Sequence, residues 1–551
     1  MFKSGIKILF AILLFMIATS ISNGQNKKEQ LIVFHFDFNS VSLNKDYVIK
    51  WIDKASQMGY NAILWEIEDE VKWETCPECA SPDAFSKEEF KEIIKYSRSL
   101  GLEPIPLFQT IGHGEYVLQH EKYYSFREDS SRYDCYCTSN NDVKEFIKSW
   151  VNEYIELFGD LKYFHLGGDE AYAFATCSVC KNTAERVGKN KLYSDYLNDI
   201  ARPLFENNIR PGVWSDMILS HPNELDAISK KFVIWDWNYW DGDSIPEQLM
   251  VWGKGRLNKD KITIETKKDF PQILDKNENL NPFYTSDYLN EKGFDVILCS
   301  SARSYGDAVF VGTNNLHFDN VIGAARKTAQ LNLLGNCVTT WAVRIPNFET
   351  QELWLYSAPF TMKNSTLCKE NILNEIQKYF FKNDDVDINN AFEKIGSTFP
   401  FTYQNTTGIM WTGLKDSKPA PENYIKDLIT KWKNRNQWDA LKQSITNSTK
   451  NISAGIQELN QLIPKADGGI EVLNNWSKAA YFQYWQSILA NKIADIADGS
   501  ETIDKKETLE LTKNLKKEYT NWASEWMTKI SAKTNAGLIY DSIINYFGTH
   551  K

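Results

Sequence analysis

The chain has 551 residues, 42% of them hydrophobic, which is enough for more than one packed domain and excludes a disordered tail or a mini-protein. Its 62 Lys and Arg against 72 Asp and Glu leave a net charge of −10. That balance argues against work on nucleic acid or anionic lipid and suits a neutral, polar partner.

Taken from the start, Lys3 and Lys7 flank the entry to an apolar run, Ile8 to Ala18, followed by Thr19, Ser20, Ser22, Asn23 and Gly24. This is the pattern of a secretory signal over residues 1–24, cleaved before Gln25. The run is about 11 residues, too short to span a bilayer, and no later stretch reaches the roughly 18 apolar residues of a membrane helix. A secreted or periplasmic protein without a membrane span is expected.

From about residue 30 to 375, short β-rich runs alternate with helical periodicity. The predicted strands are Leu31–Phe36, Ala62–Glu66, Glu103–Phe108, Lys162–Leu166, Arg210–Trp214, Phe232–Trp237, Asp295–Cys299 and Cys337–Trp341. Helices such as Ser86–Ser99, Asn141–Phe158 and Phe318–Leu334 fall between them. Eight β–α alternations predict an α/β fold, a closed (β/α)8 TIM barrel over residues 25–375. No glycine-rich phosphate loop follows the first strand, so a dinucleotide cofactor has no support. In such a barrel the chemistry lies where strands end. There stand Glu66 after strand two, His113 after strand three, Asp169 and Glu170 after strand four, and Trp214 and Asp216 after strand five. Trp235 and Trp237 close strand six, Tyr305 follows strand seven and Trp341 ends strand eight. Past 375 the texture turns rich in Lys, Glu, Asn and Leu at helical spacing, with segments at Ile425–Trp438, Ala440–Leu462, Gly469–Ala494 and Ile503–Tyr546. An all-α C-terminal domain over 376–551 is expected.

The stretch Tyr163-Phe164-His165-Leu166-Gly167-Gly168-Asp169-Glu170 joins a strand, two glycines and two adjacent carboxylates. Glycosidic cleavage needs a proton donor at the leaving oxygen and a negative group beside the cationic sugar, and an Asp-Glu pair supplies both. On chemistry alone such a pair could also bind a metal. His165 to Glu170 resembles the His-x-Gly-Gly-Asp-Glu signature of the family 20 glycoside hydrolases, the β-N-acetylhexosaminidases. Gln109-Thr110-Ile111-Gly112-His113 resembles that family's Gly-His segment, and Trp65 to Asp69 resembles its acidic segment after strand two. Strand one, Phe34-His35-Phe36-Asp37-Phe38, lacks the Arg of many members, and strand eight lacks their Trp-Gly-Glu. The chain thus looks like the shorter branch of the family that resembles hexosaminidase D.

The resemblance implies exo-acting, retaining hydrolysis of terminal GlcNAc or GalNAc through an oxazolinium formed by the substrate's own 2-acetamido group. Glu170 would be the general acid and base, and Asp169 would orient the acetamide. His113, Glu66, Asp216 and Tyr305 would support or contact the sugar, walled by Trp214, Trp235, Trp237 and Trp341. No catalytic cofactor is implied. A catalytically silent glycan-binding protein on the same fold, or another barrel glycosidase with a similar acetamido mechanism, are the alternatives. Six of nine cysteines lie in close pairs, Cys76/Cys79, Cys135/Cys137 and Cys177/Cys180, on successive loops of the active face. Cys76, Cys79, Cys177 and Cys180 suit a structural zinc, and oxidising surroundings suit disulfides; both readings stand.

Overall fold

In a computed structural model the chain is described over residues 30–39, 41–304, 306–341, 345, 347–397, 419–500 and 503–549. The expected signal at 1–24 and Tyr305 therefore lie outside the described residues. Eight parallel strands close into a barrel: β1 (Leu31–Asp37), β2 (Ala62–Glu66), β3 (Glu103–Leu107), β4 (Tyr163–His165), β5 (Arg210–Trp214), β6 (Val233–Trp237), β7 (Asp295–Arg303) and β8 (Gly335–Thr340). Each strand pairs with its sequence neighbours, and β8 returns to β1 with Val33 opposite Cys337.

Local sequence explains the elements. The helix Lys87–Ser99 begins in a capping box, Ser86 and Glu89 exchanging bonds, while its apolar face buries Phe90, Ile93 and Ile94. Inside the barrel, Val33, Leu64, Ile105, Leu107, Val233 and Ile297 pack with Trp214 and Trp235 in one apolar cluster. A second, larger apolar layer lies between the strands and the surrounding helices. β3 carries prolines at 104 and 106, residues normally foreign to a central strand. Glu103 N–H turns toward β2 and Phe108 N–H toward β4, so both prolines remove donors from the β4 side. The β3–β4 seam is accordingly reduced to one register pair, Leu107 with His165.

Three differences from the sequence reading have physical causes. β7 runs four residues beyond Cys299, because Ser300 and Ser301 continue its pairing with β8. Between β6 and β7 an unpredicted antiparallel hairpin forms, Gln248–Val251 with Gly255–Asn258, turned through Gly253 at φ 77°. The last expected helix divides into Lys505–Ala523 and Lys529–Thr549. The break is where the chain docks on the barrel: Asn44 N–H donates to Trp526 O at 2.8 Å and Thr528 N–H to Ser42 O at 3.0 Å.

The C-terminal region is helical as expected, with Asn389–Gly396, Tyr424–Asn434, Trp438–Leu462 and Ile470–Ala497 preceding that pair. The helix Lys369–Phe381 runs unbroken across residue 375, where the sequence texture changes. Among the described residues no helix is long and apolar enough to cross a membrane.

Candidate active site

The two carboxylates follow directly from β4. Gly167 (φ 62°) and Gly168 (φ 91°) turn the chain in a conformation that side chains disfavour, and a Cβ on Gly167 would lie 2.2 Å from Gln109 Oε1. Glu170 itself has φ 43°, a strained value held by two hydrogen bonds. Its N–H donates to Asp216 Oδ2 at 3.0 Å, and Tyr172 Oη donates to its Oε1 at 2.7 Å.

Asp169 is 8% exposed, and its Oδ1 is buried with no hydrogen-bond partner among the described residues. Native proteins rarely bury such an acceptor idle. Its Oδ2 lies 3.4 Å from His113 Nε2, which also stands 3.6 Å from Glu170 Oε2. Burial would pull the His113 imidazole down, but the charge of Asp169 and its hydrogen bond outweigh it and hold the pKa well above the ordinary value. His113 is therefore an imidazolium facing both acids. Asp216, buried behind them, accepts from Trp237 Nε1 at 3.3 Å. Burial, and then the Asp169 charge, push its carboxyl up to about 7.

Beneath the acids lies a row of paired polar groups. Thr340 N–H donates to His35 Nδ1 at 3.2 Å, which fixes the ring proton on Nε2, and Nε2–H donates to Glu66 Oε2 at 3.0 Å. Gln109 Nε2 donates to Glu66 Oε1 at 2.9 Å. Glu66, 1% exposed, thus has each oxygen engaged by a neighbouring strand's side chain. Gly167 N–H donates to His165 Nδ1 at 2.9 Å, so His165 also carries its proton on Nε2, a buried donor without a described partner. Burial, with the nearby His35, holds its pKa well below the ordinary value, so the ring is neutral.

The aromatic wall is continuous. Trp214 lies 4.3 Å from His165, 6.0 Å from Trp235 and 6.2 Å from Trp341 between ring centroids, and Trp341 lies 4.7 Å from His35. The Nε1–H group of Trp214 is likewise buried without a described partner. A Cβ on Gly212 would meet Trp235 Nε1 at 2.4 Å, so only glycine lets that indole lie across the barrel. Trp237 stands apart, edge-on to Trp252 at 4.7 Å. The structure thus gathers His113, Asp169, Glu170, Asp216, Trp237 and Trp341 near one another, with Trp214 and Trp235 buried beside them in the barrel interior and Glu66 buried below.

Sequence reasoning missed Tyr172, whose spacing of two from Glu170 was the available signal, and Trp252, which only the hairpin brings near. Of the two readings for Cys76, Cys79, Cys177 and Cys180, zinc or disulfides, the first pair follows the second: Cys76 and Cys79 are joined to each other in a disulfide and do not join Cys177 and Cys180. Cys177 and Cys180 instead meet Cys137 and the carboxylate of Glu128, a largely buried cluster that could hold a metal. Cys135 is buried outside it.

Residues 35–251 match the family model described as glycosyl hydrolase family 20, catalytic domain. The lacto-N-biosidase of Bifidobacterium bifidum is 21% identical over 292 residues, 50% of this chain and 26% of that protein. Human hexosaminidase D is 27% identical over 221 residues, 38% of this chain and 45% of that protein. The chain therefore spans less than half the length of either relative. A β-N-acetylhexosaminidase structure from Bacteroides fragilis overlays 60% of this chain and 66% of its own with a TM-score of 0.43 and 16% identity.

Proposed function

Because residues 35–251 match the model of the glycosyl hydrolase family 20 catalytic domain, we propose that the chain is an exo-β-N-acetylhexosaminidase that removes terminal GlcNAc or GalNAc from glycans with retention. The observation that carries the proposal is the pair itself: Asp169, whose buried Oδ1 has no partner among the described residues, and Glu170 with an oriented carboxyl, side by side at an aromatic barrel end.

Glu170 protonates the leaving oxygen and later takes a proton from water, its carboxyl steadied by Tyr172 and its backbone by Asp216. Asp169 Oδ1 accepts the acetamide N–H, which turns the acetamido oxygen onto the anomeric carbon and stabilises the oxazolinium as charge develops. His113, with Nε2 3.4 Å from Asp169 Oδ2, holds that side chain in place for the task. Trp214, Trp235 and Trp341 enclose the sugar and exclude water from the intermediate, while Trp237 and Asp216 form the side of the mouth. Glu66 acts through His35 and Gln109 as a positioning residue. Tyr305, two residues past the end of β7 in the sequence, is a further sugar contact in this proposal. Residues 1–24 are assigned to an export signal, which makes the enzyme secreted or periplasmic.

The proposal is tested by proton NMR of the first-formed sugar from an aryl 2-acetamido-β-glycoside. The β-anomer is expected. The α-anomer would exclude a mechanism through the acetamido group.

A further inference from the structure

Three thiols and one carboxylate converge behind the acid pair, and the catalytic reading uses none of them. Cys137 Sγ lies 3.8 Å from Cys177 Sγ and 3.8 Å from Cys180 Sγ, and Cys180 Sγ lies 3.3 Å from Glu128 Oε2. All four donor atoms fall within 4.8 Å of one another. In a tetrahedral zinc site with Zn–S of about 2.3 Å, two thiolates stand about 3.8 Å apart, and a thiolate and a carboxylate oxygen about 3.5 Å. Three of the six separations are close to those edges, and the other three lie within 4.8 Å.

Two further features single out this cluster. Glu128 is buried, and its Oε1 accepts from the N–H groups of Thr176 at 2.9 Å and Cys177 at 3.0 Å, which turns Oε2 toward the thiols. A buried carboxylate aimed at three sulfurs needs a cation more than a neutral thiol. Cys180 N–H donates to Cys177 Sγ at 3.3 Å, the kind of bond that steadies a metal-bound thiolate. A disulfide satisfies the arrangement poorly, because pairing any two of three sulfurs leaves one thiol and the carboxylate behind. Cys137 is equidistant from both partners, whereas Cys76 and Cys79 in the same chain are joined.

We propose that Glu128, Cys137, Cys177 and Cys180 bind a structural zinc-class divalent cation that pins the loop after β3 to the loop after β4. Glu128 and Cys137 sit on facing arms of a short ribbon, Glu128 N–H donating to Cys135 O and Cys137 N–H to Phe126 O. The same ribbon holds the His113 segment, because Tyr136 N–H donates to Ile111 O at 2.9 Å and Gly114 N–H to Asp134 O at 3.2 Å. On the other side Cys177 caps the helix Ser178–Val187 at the end of the turn that starts from Glu170. The cation would thus fasten together the two loops that present His113 and the acid pair. Binding would carry folding energy, because the four ligands come from separate loops.

The test is metal analysis of full-length protein purified without reductant or added metal, with free thiols counted before and after a chelator. About one zinc per chain is expected, with three thiols that become reactive only after chelation and a lower melting temperature in the stripped protein. Cys177→Ser should lose the metal. If that variant fails to fold, Glu128→Gln keeps all three sulfurs and should surrender zinc to a chelator at least about tenfold more readily. Cobalt in place of zinc should give the absorption of a tetrahedral thiolate complex. Metal-free protein, a Cys137–Cys177 or Cys137–Cys180 disulfide on non-reducing peptide mapping, or zinc held as tightly by Glu128→Gln would each overturn the proposal. None of these readouts depends on glycosidase activity.

Discussion

Asp169 and Glu170 are neighbours in the chain but meet different surroundings: one is buried beside an imidazolium, the other reaches a tyrosine that is 71% exposed. Glu170→Gln keeps the shape and removes the proton, so turnover on an unactivated disaccharide should fall roughly 10²- to 10⁴-fold, with aryl glycosides of good leaving groups affected least. Near-unchanged turnover on the disaccharide would remove Glu170 from the role of acid. Asp216 gives a pH test. Its carboxyl titrates near 7 in the fold against about 3.9 unfolded, so the folded state binds the proton more tightly. The stability from that proton is present below about pH 4 and lost as pH rises to about 7. Asp216→Asn does not titrate, so its melting temperature should gain on the wild type between pH 4.5 and 7.5, and the arm of the kcat/KM profile near 7 should flatten. A melting difference that stays constant with pH would contradict this assignment. The acid pair was legible because its residues are consecutive behind two glycines. His35 with Glu66 and Gln109 with Glu66 were not, because each bond joins adjacent strands distant in sequence.

At the scale of elements, the turn after β4 fixes the acids through backbone geometry. Gly167→Ala introduces a Cβ at φ 62° and 2.2 Å from Gln109 Oε1, so a loss of about 1–3 kcal/mol of stability is expected from strain. Displacing Gln109 should also loosen Glu66 and lower kcat; denaturant unfolding and initial rates measure both. Unchanged stability and rate would show that the turn tolerates a side chain. The barrel was readable because eight apolar runs recur between amphipathic helices, and strand ends missed by only a few residues. The hairpin at 248–258 was not, since strands of four residues without an apolar alternation carry little periodic signal. Proline at 104 and 106 would ordinarily argue against a central strand, and only the missing donors on the β4 side reconcile them with β3.

For the whole molecule, the C-terminal helices grip active-face loops rather than standing beside the barrel. Phe310, buried in the loop after β7, lies 5.7 Å from both Phe482 and Tyr519, and its N–H donates to Gln483 Oε1 at 3.3 Å. The loop after β1 is held by the turn at Trp526 to Thr528. Phe310→Ala should cost about 3–5 kcal/mol in denaturant unfolding and lower kcat as the loop frees; a cost below about 1 kcal/mol would mean that the helices are a passive appendage. Helical texture was legible over this region, whereas its docking was not, because the contacts link positions hundreds of residues apart. The same holds for the cysteines: spacing revealed the pairs, but Glu128 entered the cluster only through the fold. The central claim, an acetamido group acting as the nucleophile, is tested most directly by comparing aryl 2-acetamido-β-glycosides with the plain aryl β-glucoside and β-galactoside. Cleavage of the 2-acetamido sugars with the 2-hydroxy sugars nearly inert is the expected result, since the change deletes the nucleophile; hydrolysis of the plain β-glucoside at a comparable rate would contradict it.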